Sequence, residues 1–145
     1  MIHAAIVPGS WLGLVVAIED AAGLLRPVHV ESFEVGTTAQ SAETGRFARE
    51  ATPEQIAAAV QRVVSTVANF RADHVVIEWA RSKAAKAHEL TEAIRSGLAA
   101  ASIEARTMHA WRLASGGAHH EWAARRCAEG FAGWPAESCC GARRA

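Results

Sequence analysis

The chain has few of the features that would tie it to a membrane, a secretory route or a highly charged partner. It carries three cysteines in 145 residues, Cys127, Cys139 and Cys140, all in the last quarter. An odd number so placed is no disulfide framework, and it lacks the paired CxxC spacing of a structural zinc site. They read as free thiols in a reducing compartment. Net charge is zero, with 15 basic residues against 15 acidic ones. That excludes a strongly cationic nucleic-acid binder and leaves room for a local basic face. No apolar run reaches the ~20 residues of a bilayer span. The opening has no basic segment, and Pro8-Gly9 interrupts its apolar run, so no signal peptide is expected. We find no internal repeat and no linker. The expectation is a cytoplasmic protein without a membrane partner.

What is present is apolar and patterned. Half of the residues are hydrophobic, enough for one core in a single domain spanning 1–145. Residues 2–7, "IHAAIV", read as a strand. Pro8-Gly9-Ser10 is a tight turn, and "WLGLVVAIE" (11–19) is a second strand. After the turn "DAAG", residues 24–35 alternate Val28, Val30, Phe33 and Val35 with polar side chains. This third strand is expected near an edge, because Pro27 cannot donate to a ladder. Residues 36–51 are small and polar and read as a loop.

Thr52-Pro53-Glu54-Gln55 predicts a helix start, with Thr52 as cap, Pro53 in the first turn and Gln55 at capping-box distance. Ile56, Val60, Val63, Val64 and Val67 follow at helical spacing to a predicted end near Phe70. "HVVIEWA" (74–80) fits a buried parallel strand. Residues 84–101 form a second helix, with Leu90, Ile94 and Leu98 on one face. A fifth strand is expected near 103–108, a loop at 115–118 and a third helix at 119–133. The order β β β α β α β α gives an α/β fold with a mixed sheet: three antiparallel strands, then alternating α and β units with flanking helices. It is the order of the ribonuclease-H-like fold, which other mixed α/β folds share.

Three stretches narrow the choice: "AIVPGSWLGLVVAIE", "ADHVVIEWARSK" and "MHAWRLASGGAHHEWAARRC". In that order and spacing the chain resembles RuvC-type Holliday-junction resolvases, with the third stretch similar to phage-type members. The first looks like the family's strand–turn–strand opening, usually apolar residues then Asp-Pro-Gly. Ile77-Glu78 matches an apolar strand ending in glutamate. The match covers most of the chain, though no one motif is strong alone.

The resemblance implies metal-dependent cleavage of branched DNA in recombination, at a four-way junction, by a homodimer. Such nucleases use two divalent ions about 3.5–4 Å apart, one activating water and one stabilising the leaving oxygen. Mg²⁺ or Mn²⁺ would be held by carboxylates, since hard cations take oxygen ligands. The family supplies one acid from strand one, one from strand four and a pair three residues apart on the last helix, nearly one turn, so both point the same way. Here Glu78 matches the strand-four acid. The last helix is represented by "WPAESCCGARRA", where Glu137 takes the first place and Cys140 the second. Val7 stands where the first acid should be. Valine binds no metal, and cysteine suits Zn²⁺ better than Mg²⁺. Two-metal hydrolysis is therefore expected to be abolished or greatly weakened. The tail, with Gly141, Arg143 and Arg144, reads as a truncated or degenerate helix.

The same resemblance places Arg81, Lys83 and Lys86 near the cleavage site as phosphate contacts, with Trp79 able to stack on a base. Arg112 extends that basic face, and His120 is a candidate phosphate contact. His119 and His120 are adjacent, about 100° apart on a helix, and do not form the i, i+4 pair of a metal motif. The rival reading is a non-catalytic junction-binding or protein-interaction module on the same fold. A chance match on an unrelated α/β domain is the third. Sheet order separates it from the other two, because the ribonuclease-H fold sets strand four beside strand one.

Overall fold

Strand β1, Ile2–Val7, is the piece around which the sheet is laid. A computed structural model describes residues 1–8, 11–35, 51–78, 85–108 and 134–135 of the chain. Strand β2, Trp11–Glu19, pairs antiparallel with β1 from Ile2↔Ile18 to Val7↔Gly13. Strand β3, Leu24–Glu34, pairs antiparallel with β2. The turn between them is tied by Asp20, whose carboxylate accepts the N–H groups of Ala22 and Leu24 at 2.8 and 3.0 Å. Gly23 supplies the left-handed φ of +80°. The Leu24 N–H, with help from Ala22 and Arg26, holds the Asp20 carboxyl below its ordinary value. A depressed carboxyl contributes stability above its unfolded-state value, and that contribution is lost as pH falls through the depressed one.

Helix α1, Pro53–Phe70, carries the predicted cap. The Gln55 N–H donates to the Thr52 hydroxyl at 3.2 Å, and the Thr52 N–H donates to the Gln55 side chain at 2.9 Å. Arg71, in the left-handed region, ends the helix. Strand β4, His74–Glu78, then runs parallel to β1 on the side away from β2. Helix α2, Ala85–Ala100, leads to strand β5, Ala105–Met108, parallel to β4. A short strand β6, Trp134–Pro135, pairs antiparallel with β3 at Leu24↔Pro135. The sheet order is β5-β4-β1-β2-β3-β6.

Two sequence expectations meet the structure here. β3 is near an edge as Pro27 implied: its outer side meets β6 at Leu24, and Pro27 sits beside a bulge opposite Val16/Ala17. The start of the expected last helix needs correction. Trp134 and Pro135 extend the sheet instead, because Trp is a strand former and Pro, lacking an N–H, fits a sheet margin. Residues 36–50, the expected helix 119–133 and residues 136–145 lie outside the described residues.

One face of the sheet meets both helices. Ala4, Ile6, Leu12, Leu14, Val16, Val75 and Ile77 pack against Ile56, Ala59, Val63 and Val67 of α1 and Leu90, Ile94 and Leu98 of α2. On the opposite face, Ala5, Val7, Val15, Ala17 and Val76 are buried as well. At the sheet margin Glu31 ties β3 to α1: it pairs with Arg62, accepts from the His29 Nε2–H at 2.9 Å, and Arg62 lies over the Phe33 ring. Among the described residues no helix is long and apolar enough to cross a membrane.

The helices approach closely at Gly97. A Cβ there would fall 2.4 Å from Val60 Cγ1, and a helical valine has one strongly preferred rotamer, so it cannot swing aside freely. Gly97→Ala should therefore destabilise the protein by about 1–3 kcal/mol in urea unfolding, despite alanine's better helix propensity. Adding Val60→Ala should recover part of the loss, and a stabilising Gly97→Ala would contradict this packing.

Candidate functional site

The parallel ladder between β1 and β4 runs His3↔His74, Ala4↔Val75, Ala5↔Val76, Ile6↔Ile77. One residue further on each strand come Val7 and Glu78, at neighbouring strand ends about 4.8 Å apart across the sheet. Alternation sends both to the face away from the helices. This is the sheet order of the ribonuclease-H arrangement, with strand four beside strand one.

The chemistry at these ends is unequal. Glu78 is 9% exposed and Val7 3% exposed. Val7 pairs with Gly13 on β2, and Glu78 pairs with Met108 on β5. Glu78, the acid expected from strand four, ends β4 beside β1, and the neighbouring β1 residue is a packed hydrocarbon. Among the described residues, no three His, Cys, Asp or Glu side chains stand where they could hold one metal ion. Val7 does not fit a two-metal centre: among the described residues a divalent ion there would lose water and gain carboxylate oxygen from Glu78 alone. No hydrolytic step is derived through such a centre.

Of the other candidate residues, Lys86 lies in the first turn of α2. Trp79, Arg81, Lys83, Arg112, His120, Glu137 and Cys140 lie outside the described residues. The structure therefore brings Glu78 to Val7 and bears on no other pairing of the expected set.

Among the described residues, polar groups gather at the opposite strand ends. His3, 2% exposed, stacks on His74 with ring centroids 5.0 Å apart, and its Nε2 lies 3.4 Å from Glu19 Oε2. Asp73, His74, Glu104 and Arg106 line a small cleft of about 220 Å³ beside them. Sequence reading passed over this cluster. His3 and His74 are 71 positions apart, and only the parallel register makes them neighbours. The alternation of His3 with apolar residues was the one available sign.

With the geometry in view, the class of fold is clear: a ribonuclease-H-like mixed sheet. Among solved structures, RuvC of Thermus thermophilus in complex with Holliday junction substrate is similar at a TM-score of 0.58 and 23% identity, covering 76% of this chain and 66% of that one. A second Thermus thermophilus RuvC structure gives 0.57 and 24%, covering 75% and 62%. An exopolyphosphatase from Cytophaga hutchinsonii gives 0.52 and 13%, covering 75% and 34%. This chain thus spans a little under two thirds of the length of the RuvC chains. No profile of a known protein family matches the sequence. No curated protein matches it either. At these identities the likeness establishes the fold.

Val7→Asp tests the strand end directly. The substitution places a second carboxylate in a buried apolar position beside Glu78, and should destabilise the protein by about 2–4 kcal/mol in urea unfolding at neutral pH. Millimolar Mg²⁺ should recover none of this. Full recovery with Mg²⁺ would mean that a metal pocket persists there.

Proposed function

We propose that this chain is a divergent RuvC-like protein that recognises branched DNA, a four-way junction above all, without the family's two-metal cleavage. One observation carries the reading: in a fold shared with RuvC, the Glu78 strand end lies beside β1, and the β1 position next to it is Val7. The Glu78 strand end supports a retained DNA-facing surface, and Val7 supports the loss of the shared metal ligand. Trp79, Arg81, Lys83 and Lys86 follow Glu78 directly and would meet phosphates and bases, joined by Arg112 and His120. A homodimer would present two such surfaces to a two-fold junction. The protein would work in the cytoplasm.

A second reading has its own support. Glu78 is where a strand-four metal ligand belongs, so a crossover-junction endodeoxyribonuclease using Mg²⁺ or Mn²⁺ on Glu78 and Glu137 is the alternative. A labelled four-way junction titrated with the protein, run on native and denaturing gels, decides between them. We expect a shifted junction at concentrations that leave linear duplex unshifted, and no cut strands. Arg81→Ala and Lys83→Ala should each weaken binding and lower the log–log salt slope by about one, as for a lost phosphate contact. Equal affinity for junction and duplex, or no shift, would overturn the reading. Cleavage that disappears in Glu78→Gln would establish the second one.

A further inference from the structure

The strand end that could have held cations is built as core. Val7 is 3% exposed, and Ala5, Val15 and Val76, on the same face of the sheet, are 1% exposed each. Gly13 stands opposite Val7 on β2, and Met108 stands opposite Glu78 on β5. None of these offers a side-chain oxygen. Two divalent ions about 3.5–4 Å apart repel strongly, and they are held together by carboxylates that share them. Among the described residues no set of three ligating side chains exists to do so.

We infer that DNA recognition by this chain is independent of divalent metal, and that the joined ends of β1 and β4 form an apolar joint in which Glu78 is buried. The DNA half of this inference rests on the branched-DNA reading above; the metal half does not. It carries a consequence for Glu78. In a metal-bound site this carboxylate attracts phosphate through the cation it holds. Without a cation the buried carboxylate offers phosphate no attraction, so its neutral replacement costs no junction affinity.

The test uses the full chain and two readouts. In the first, the protein and Glu78→Gln are titrated with Mn²⁺, and free Mn²⁺ is followed by electron paramagnetic resonance. We expect superimposable curves with no saturable site through the millimolar range. A saturable site that Glu78→Gln removes would overturn the inference. In the second, junction affinity is measured in EDTA and in Mg²⁺ at matched ionic strength. We expect agreement within about twofold, with Glu78→Gln binding at least as tightly as the parent chain. A gain of about tenfold with Mg²⁺ that Glu78→Gln abolishes would overturn it. Should the junction bind in neither buffer, the branched-DNA reading fails, and the Mn²⁺ titration still decides the metal claim.

Discussion

A reciprocal clamp between Ile2 and Asp73 sets the arrangement on which everything else depends. The Ile2 N–H donates to the Asp73 carboxylate at 2.8 Å, and the Asp73 N–H donates to the Ile2 carbonyl at 2.8 Å. The clamp fixes where β4 starts relative to β1. Side chains alternate faces along a strand, so a slip of one residue would turn every β4 side chain to the other face. From the clamp onward the ladder is determined: His74 beside His3, Ile77 beside Ile6, then Glu78 by Val7. Helix α1 delivers Asp73 to the right place. Its left-handed cap at Arg71 ends the helix, and the chain turns into β4 within two residues.

The clamp also separates two chemically different ends of the same strand pair. At the start of β1 and β4 are His3, His74 and Asp73, with Glu19, Glu104 and Arg106 close by. At the finish are Val7, Ile77 and Glu78. In open sheets with parallel strands, ligands meet the carboxyl ends of the strands, and among the described residues that end of β1 and β4 carries one carboxylate, Glu78. A hydrolytic two-metal site needs several. The fold supplies a frame for such chemistry and does not by itself supply the chemistry.

Much of this was legible in the residues. The capping box at Thr52 and Gln55, the apolar stripe through Ile56, Val63 and Val67, and the β-branched runs of β1, β2 and β4 are local signals, and each became the expected element. Pro27 marked the sheet margin through its missing donor. Trp134-Pro135 was misread as the start of a helix because its partner, Leu24, is 111 positions away, beyond the reach of any local pattern. The stacked His3 and His74 were missed for the same reason. Of the candidate site, Glu78 and Val7 were legible as a pair because family-like order stood in for the missing three-dimensional contact.

Valine at position 7 is physically consistent with the rest of the strand. β1 is flanked by strands on both sides and buried on both faces, and such strands favour continuous β-branched and aliphatic residues. An aspartate at that depth is tolerable only when a cation compensates it, because an uncompensated buried carboxylate is strongly destabilising. A metal-held acid and a plain hydrocarbon are thus two self-consistent ways of finishing the same strand. A buried acid without a compensating partner is not. Glu78, the last residue of β4, stands under the same constraint: at 9% exposure it is buried too, and a partner rather than open water has to balance its charge. Val7 finishes β1 in the second of these ways, as a plain hydrocarbon.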